Sequence, residues 1–431
     1  MTLGDLLKRL QRKQTKSLLS VTGATVVNNV VGFAVNLIAA RTLGKEDFGV
    51  FSLAFSVATV TAAIGEFGLN LTMIRLFNKY EREPQRQTAL LGSMLVLKIC
   101  VLLLISMISL PLGSAFARGM GLGASERRLF AVALVTGGLL LGWTYVQACL
   151  QSHRSFRRLT AFILAYAVLR AAFLAVAYAL WPHSPLAWLA ATYALPAVLI
   201  SVGGLLPEVR VLWHATVKNV RVSLGLLWEA LNYSKWVALS SIAYISLLSI
   251  VRFILSAKAA LAEVGIFSAG ITFAMAFSML NTAIRAVLFP QVSALGGPQQ
   301  MNQYLSRLRR LAPYYGAAAL LAIGILAALQ WFVLGEEYRS ALPVFLVTSS
   351  AVSVSVFLGL GTMLVHTMMK PHIDAFVNAA RLGVMVLLAL ILVPSMRALG
   401  AAIAYAVPVM AGELWMFRYV RRENRGRTVS S

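Results

Sequence analysis

Acidic residues and cysteines are both scarce in this chain, and each shortage excludes a class of protein. The 431 residues include 15 Asp and Glu against 38 Lys and Arg; charged residues make up only 12% of the sequence, and hydrophobic residues 59%. Such a composition excludes an ordinary water-soluble domain. The two cysteines, Cys100 and Cys149, lie in apolar runs. Neither a disulfide framework nor a cysteine metal site is therefore expected.

Sequence motifs for nucleotide binding or covalent catalysis are also missing. The chain contains no phosphate-binding loop, no Rossmann glycine fingerprint and no nucleophile elbow. Its five histidines are scattered near loops without the spacing of a metal site. We therefore predict no catalytic residues, no metal and no cofactor.

Long apolar runs dominate what is present. About 20 helical residues, each rising about 1.5 Å, cross the ~30 Å hydrocarbon core of a bilayer. Twelve runs are long enough: 17–40, 48–66, 88–111, 129–150, 160–181, 185–206, 233–256, 263–288, 311–334, 341–365, 376–394 and 398–418. The sequence thus predicts an all-α integral membrane protein with 12 transmembrane helices.

Positive charge is distributed unevenly between alternate gaps. The two tails and every second gap carry 26 of the 38 Lys and Arg residues, the opposite gaps carry nine, and three lie within apolar runs. The positive-inside rule then places both termini in the cytoplasm of a multi-pass inner-membrane protein. The net charge of +23 follows from this topology and favours anionic membrane lipids as partners. No nucleic-acid partner is predicted, because the chain has no soluble module to present the charge.

The longest gap divides the chain near its middle. We predict an N-terminal six-helix bundle at 1–206, a partly helical interfacial linker on the cytoplasmic side at 207–232, and a C-terminal six-helix bundle with a basic tail at 233–431. Six spans in each half give both halves the same orientation, with an axis along the membrane normal. Such pairs of bundles are typical of transporters with alternating access.

Two short motifs recur in the same order in both halves. The sequence from Asp47 to Ala54, DFGVFSLA, is similar to EVGIFSAG from Glu263 to Gly270, 216 residues later. An Asn…Arg pair, Asn70 with Arg75, is echoed by Asn281 with Arg285 at an offset of 210 to 211. Two ordered matches at nearly equal offsets indicate an internal duplication.

Cations at bilayer depth are the candidate binding residues. A charge there costs at least about 2.5–3.5 kcal/mol, so it usually faces protein or water and is often functional. The candidates for substrate binding are Lys98, Arg170, Arg285, Arg75 and Arg252, although Arg75 and Arg252 could equally reach lipid headgroups. Guanidinium groups bind phosphate oxygens in bidentate fashion, so these cations favour an anionic, phosphate-bearing substrate.

Uncharged and acidic groups complete the predicted site. Asn28, Asn29 and Asn36 follow one another along the first span, and Asn29 is the candidate for hydrogen bonds to sugar hydroxyls. The same amides could instead hold helices together. Deep acids are few, and Glu66, at the end of the second span, is the candidate for ion coupling.

Several segments resemble the polysaccharide flippases of bacteria. Residues 40–54, ARTLGKEDFGVFSLA, resemble the first-loop signature of the oligosaccharide/polysaccharide exporter branch of the multidrug/oligosaccharidyl-lipid/polysaccharide superfamily. Residues 65–70, 288–293 and 398–404 are similar to the ends of helices two and eight and to the start of the last helix in that family.

This resemblance implies a V-shaped, alternating-access transporter. It implies translocation of undecaprenyl-pyrophosphate-linked oligosaccharide repeat units to the periplasmic leaflet, driven by an ion gradient, for surface polysaccharides such as lipopolysaccharide or exopolysaccharide. A polysaccharide polymerase or assembly proteins are possible partners. Many relatives have an acid on helix seven where this chain has Ser249-Ile250-Val251-Arg252-Phe253, so a coupling role for that acid is not transferable.

Two alternatives stay open at this stage. A multidrug/cation antiporter of the same superfamily would have the same architecture, but it needs carboxylates in the lumen, and these are few. A membrane glycosyltransferase or polymerase would place acids such as Glu46 and Asp47 in an external loop. Such enzymes usually carry large external loops as well, whereas every external gap here is short.

Overall fold

A computed structural model describes residues 3–216, 223–279, 292, 297–362, 364 and 371–429. The described chain consists of helices joined by short turns, which confirms the prediction of an all-α fold. The helices are α1 Leu3–Glu66, α2 Leu69–Lys79, α3 Pro84–Gly119, α4 Ala124–Ser152, α5 Phe156–Leu180, α6 Pro185–Leu189, α7 Leu195–Thr216, α8 Leu224–Lys258, α9 Leu261–Ala274, α10 Pro298–Leu334, α11 Ala341–Thr362 and α12 Pro371–Val429.

Ten helical stretches among the described residues are long and apolar enough to cross a membrane. This confirms a multi-pass membrane protein. Two of the stretches, Leu19–Lys79 and His372–Asn424, have 61 and 53 residues. A straight helix of that length would measure about 80–90 Å, far more than the ~30 Å hydrocarbon core. The count of 12 spans in two six-helix bundles stays a prediction.

Backbone breaks interrupt both of these long helices. Gly44 interrupts α1 with φ 74° and ψ 171°, and Arg397 interrupts α12 with φ 50° and ψ −126°. A positive φ carries no steric penalty for glycine but does for arginine. The breaks fall between the predicted first and second spans and between the predicted eleventh and twelfth spans.

A carboxylate from another element accepts the backbone N–H that follows each break. Lys45 N donates to Glu337 Oε1 at 3.2 Å, and Ala398 N donates to Glu263 Oε2, also at 3.2 Å. Glu263 also lies 3.7 Å from the guanidinium of Arg397. Because a break removes the regular hydrogen bond within the helix, these acids replace the lost acceptor.

The helices form two compact units. Unit 1 comprises Met1–Val35 and Ala54–Ile242, and unit 2 comprises Asn36–Leu53 and Ala243–Ser431. Both α1 and α8 therefore contribute residues to both units. The predicted domain boundaries at 206 and 233 stay a prediction.

An aromatic core holds α3, α4 and α5 together in unit 1. The Tyr145 hydroxyl donates to the carbonyl of Leu91 at 2.9 Å. The Trp143 ring stacks on both Phe162 and Tyr166, with centroids at 4.7 and 4.0 Å. These buried contacts fix the part of α5 that carries Arg170.

Unit 2 brings the two copies of the repeated motif into contact. A Cβ atom on Gly49 would meet the carbonyl oxygen of Leu261, and a Cβ atom on Gly265 would meet that of Lys45. Positions 45 and 261 are separated by the same 216 residues as positions 49 and 265. The contact between α1 and α9 is therefore reciprocal, and it requires glycine at both positions.

The predicted linker at 207–232 is largely helical. Helix α7 continues to Thr216, and α8 begins at Leu224. Residues 217–222 lie outside the described part of the chain. The helices of the predicted sixth and seventh spans are thus longer than the spans themselves: the first continues past residue 206, and the second begins before residue 233.

Candidate functional site

Arg170 lies at the centre of a polar cluster in unit 1. Its side chain is only 5% exposed, halfway along α5. Its Nε donates to the carbonyl of Thr192 at 3.1 Å, and its Nη1 donates to Asn28 Oδ1 at 3.5 Å. The cluster therefore joins α5 to the first half of α1 and to the segment between α6 and α7.

A π-helical turn supplies the carbonyl that Arg170 binds. The chain changes from α6 to a π-helix at Ala190–Ala194 before α7 begins. Such a turn departs from the regular i→i−4 pairing, and π-turns are frequent at functional sites. Thr192 uses its hydroxyl to bond the carbonyl of Trp188 at 2.7 Å, and its own carbonyl accepts from Arg170.

Two tyrosine rings complete the surroundings of Arg170. Its guanidinium carbon lies 4.6 Å from the centroid of the Tyr193 ring and 5.6 Å from that of Tyr166. Gly32 on α1 makes room for the guanidinium, since a Cβ atom there would lie 3.3 Å from Nη1. The Thr192 carbonyl, the Asn28 amide and the two tyrosine rings are all neutral. These partners therefore orient the guanidinium without cancelling its charge.

Lys98 and Glu66 form a second charged cluster in unit 1. Lys98 on α3 is 4% exposed, and its Nζ atom has no hydrogen-bond partner among the described residues. Glu66, at the end of α1, is half-buried, interacts electrostatically with Lys98 and accepts a hydrogen bond from the Asn70 side chain. The predicted substrate cation and the predicted coupling acid are therefore neighbours.

The other predicted cations have separate surroundings. Arg75 is exposed on α2, and its guanidinium carbon lies 4.5 Å from the centroid of the Tyr233 ring on α8. Arg252 is half-buried on α8, and its Nε donates to Ser268 Oγ on α9 at 3.1 Å. Arg285 lies outside the described residues.

Asn29 is half-buried on α1, next to the asparagine that contacts Arg170. The structure thus gives the contact with Arg170 to Asn28 rather than to the candidate Asn29. Both belong to the polar row noted in the sequence. Which of them faces the substrate stays a prediction.

A buried ion pair in unit 2 was not among the residues predicted from the sequence. Arg381 and Glu413 lie on the two parts of α12, on either side of the break at Arg397. Arg381 Nη2 lies 3.1 Å from Glu413 Oε1, and the two residues are 5% and 8% exposed. Arg381 falls near the start of an apolar run and Glu413 near the end of one, where hydropathy gives no sign that a charged side chain is buried.

Hydrogen bonds extend this ion pair in two directions. The hydroxyls of Ser355 and Thr362 on α11 donate to the two carboxylate oxygens of Glu413, each at 3.4 Å. Arg381 Nη1 donates to Asn378 Oδ1 at 3.1 Å, and Asn378 Nδ2 donates to Asp374 Oδ2 at 3.4 Å. The spacing 374, 378, 381 places these three side chains on one face of α12.

A shallow pocket of about 360 Å³ lies where α2, α3 and α8 meet in unit 1. Glu229 on α8 accepts from Lys79 Nζ and from the Tyr80 hydroxyl, both at 2.6 Å. The hydrogen bond to Glu229 raises the pKa of Tyr80 above its usual value. Because Lys79 is exposed and solvated, this ion pair contributes little to stability.

Solved structures with the same fold are membrane transporters. An inward-facing multidrug resistance MATE family transporter of the MOP superfamily is 15% identical, with a TM-score of 0.71 over 97% of this chain and 99% of that chain. The lipid II flippase MurJ in an inward closed conformation is 10% identical, with a TM-score of 0.73 over 93% of this chain and 87% of that chain. At these identities the likeness shows the fold.

Sequence comparison supplies the family. No match is found among the curated proteins. Residues 15–295, well over half of the chain, match the model of the family described as polysaccharide biosynthesis protein. This match confirms the resemblance to a polysaccharide family read from the sequence, and the solved structures add the shared fold. The chain belongs to the polysaccharide biosynthesis protein family, with the fold of the MATE and MurJ transporters.

Proposed function

We propose that this protein is a flippase for undecaprenyl-pyrophosphate-linked oligosaccharide repeat units. It moves them across the bacterial inner membrane for surface polysaccharide biosynthesis, by alternating access driven by an ion gradient. Both termini lie in the cytoplasm, and a polysaccharide polymerase or assembly proteins use the product. Membership of the polysaccharide biosynthesis family supports the class of substrate.

The observation that carries the proposal is the guanidinium of Arg170, which has no acidic partner among the described residues. Its partners, the Thr192 carbonyl, the Asn28 amide oxygen and two tyrosine rings, are neutral. A buried cation that keeps its full charge attracts a multiply charged anion strongly, because the surroundings screen it less than water does. The guanidinium also offers paired N–H donors that match phosphate oxygens.

Other predicted residues have roles that follow from their partners. Lys98 adds a second buried positive charge, and Glu66, beside it, is the proposed coupling acid. Arg75, Arg252 and Arg285 are proposed as further substrate contacts.

Translocation of the lipid-linked oligosaccharide tests the proposal directly. A strain without the gene should accumulate these lipids on the inner leaflet. In proteoliposomes, R170Q should lower translocation at least about tenfold, whereas R170K should retain part of it, because lysine keeps the charge and loses the planar fork. R158Q is the matched control, since Arg158 is exposed on the same helix. Normal translocation by R170Q would overturn the role of Arg170.

A multidrug/cation antiporter is the second candidate, favoured by the likeness of the fold to a MATE transporter. That activity needs carboxylates that exchange protons for cations, and Glu66 and Glu413 are available. Drug efflux from cells that express the protein, with no lipid-linked oligosaccharide accumulating in the deletion strain, would favour this second candidate.

A further inference from the structure

Arg170 and Arg381 occupy equivalent places in the two halves of the sequence. They are 211 residues apart, within the range of offsets that relate the two repeated motifs. They lie in the fifth and the eleventh predicted spans, and each is therefore in the fifth span of its half. Both are 5% exposed. Equal burial at these two positions is what the predicted duplication would give.

The partners of these two arginines differ in charge. The partners of Arg170 among the described residues are neutral, whereas Arg381 has the carboxylate of Glu413 at 3.1 Å. Gly412 leaves room for the Arg381 side chain, because a Cβ atom there would meet Arg381 Nε. A carboxylate and a phosphate present similar oxygens to a guanidinium, so Glu413 occupies the place of an anionic ligand.

We propose that Arg381 is a second anion-binding residue and that Glu413 is its internal counter-anion. A phosphate group of the substrate replaces the Glu413 carboxylate on Arg381, and the displaced carboxylate takes up one proton. Arg381 thus exchanges one anionic partner for another, and one proton from the solution neutralises Glu413. The inference rests on the proposed function, since it requires a phosphate-bearing substrate.

The surroundings of Glu413 support proton uptake on displacement. A carboxylate without a cationic partner is costly in a buried position, and protonation removes that cost. The hydroxyls of Ser355 and Thr362 can accept as well as donate, so they can bond a neutral carboxyl group too.

Charged and titratable groups near the pair are few among the described residues. Asp374 is connected to Arg381 through Asn378, along one face of α12. Tyr405 lies near Arg381 and also near Arg252. Glu413 is the acid in direct contact with Arg381, so we assign the proton to it rather than to Asp374.

Binding of undecaprenyl pyrophosphate to the full-length protein in nanodiscs tests this inference. If binding takes up one proton, the dissociation constant rises by up to tenfold for each pH unit between pH 6 and 8. E413Q should take up one proton fewer on binding, and it should bind more tightly than the wild type at pH 8. E413D should retain the pH dependence of the wild type. The control E336Q, in an exposed ion pair with Arg339, should behave as the wild type.

A double variant keeps the test valid if E413Q does not fold. R381Q/E413Q leaves no unpaired buried charge, and it should bind more weakly and also lose one proton of pH dependence. Equal pH dependence in the wild type and in these variants would overturn this inference while leaving the flippase proposal intact. Absence of any binding by the wild type would overturn the flippase proposal first, and this inference with it.

Discussion

Gly49 on α1 and Gly265 on α9 are the points at which the two copies of the repeated motif touch. Each glycine lies against a backbone carbonyl of the other segment, Leu261 for Gly49 and Lys45 for Gly265. A motif that signals a family at the sequence level therefore has a packing role in the fold. Its glycines allow two helix starts to approach more closely than any side chain would permit.

Alanine at either glycine should destabilise the protein. The new Cβ atom of G49A or G265A would overlap a backbone carbonyl, which cannot move aside as a side chain can. We expect a loss of about 1–3 kcal/mol, typical of overpacking. Thermal unfolding in detergent measures the loss. G324A is the control, since Gly324 in α10 has open space at its Cβ position and alanine favours a helix. An unchanged melting temperature for G49A would contradict the close contact.

The carboxylates at the two helix breaks should each stabilise the fold. E337Q and E263Q keep an oxygen acceptor but lose the charge, whereas E337A and E263A lose both. By analogy with helix caps, we expect about 0.5–2 kcal/mol for each alanine variant and less for each glutamine variant. Thermal unfolding again measures the effect, with E336A on the same turn as Glu337 as the control. If E336A costs as much as E337A, the bond to Lys45 N is not the cause.

Lys98 and Glu66 should show a measurable energetic coupling. E66Q leaves a buried ammonium group without its acid, and K98M leaves the half-buried acid without its cation. Since the two groups interact electrostatically and Lys98 Nζ makes no hydrogen bond among the described residues, we expect a coupling of about 0.5–3 kcal/mol. The double variant E66Q/K98M should recover part of the loss caused by the single substitutions, because no unpaired charge is left. A double-mutant cycle on unfolding free energies measures the coupling. Additive effects of the two substitutions would show that the pair does not interact.

An acidic residue at position 28 should give Arg170 a carboxylate partner, as Glu413 is for Arg381. N28D would place a carboxylate against the Arg170 guanidinium, where Asn28 now offers an amide oxygen. The charge of Arg170 would be compensated, so binding of undecaprenyl pyrophosphate should weaken at least about tenfold at neutral pH. N28A removes the amide and adds no charge, and it should have a smaller effect. Equal affinity of N28D and wild type would show that the Arg170 charge does not bind the substrate.

Composition and hydropathy were sufficient to predict the helical membrane fold, because a bilayer permits few alternatives for apolar runs of this length. Even the breaks at Gly44 and Arg397 fall in gaps between predicted spans. The burial of individual charged residues was predicted less well. Arg381 and Glu413 lie near the ends of their apolar runs, and only side-chain contacts show that they are buried together.

The sequence could not predict which residues contact one another in the fold, and the reason is physical. The carbonyl that holds Arg170 belongs to a π-helical turn, and hydropathy does not distinguish such a turn from an α-helix. Likewise, Glu66 and Lys98 are 32 residues apart, and no local pattern connects them. For Arg381, the offset between the repeated motifs was the usable sequence signal, because it relates Arg381 to Arg170.

Helix α1 gives Asn36–Leu53 to unit 2, and α8 gives its first residues, up to Ile242, to unit 1. Cutting the gene at its midpoint would therefore deprive each fragment of a piece that the other carries. Expressed alone, such fragments should insert but stay incomplete, and only co-production should restore a folded molecule. Each half of the sequence therefore depends on a helical segment that the other half encodes.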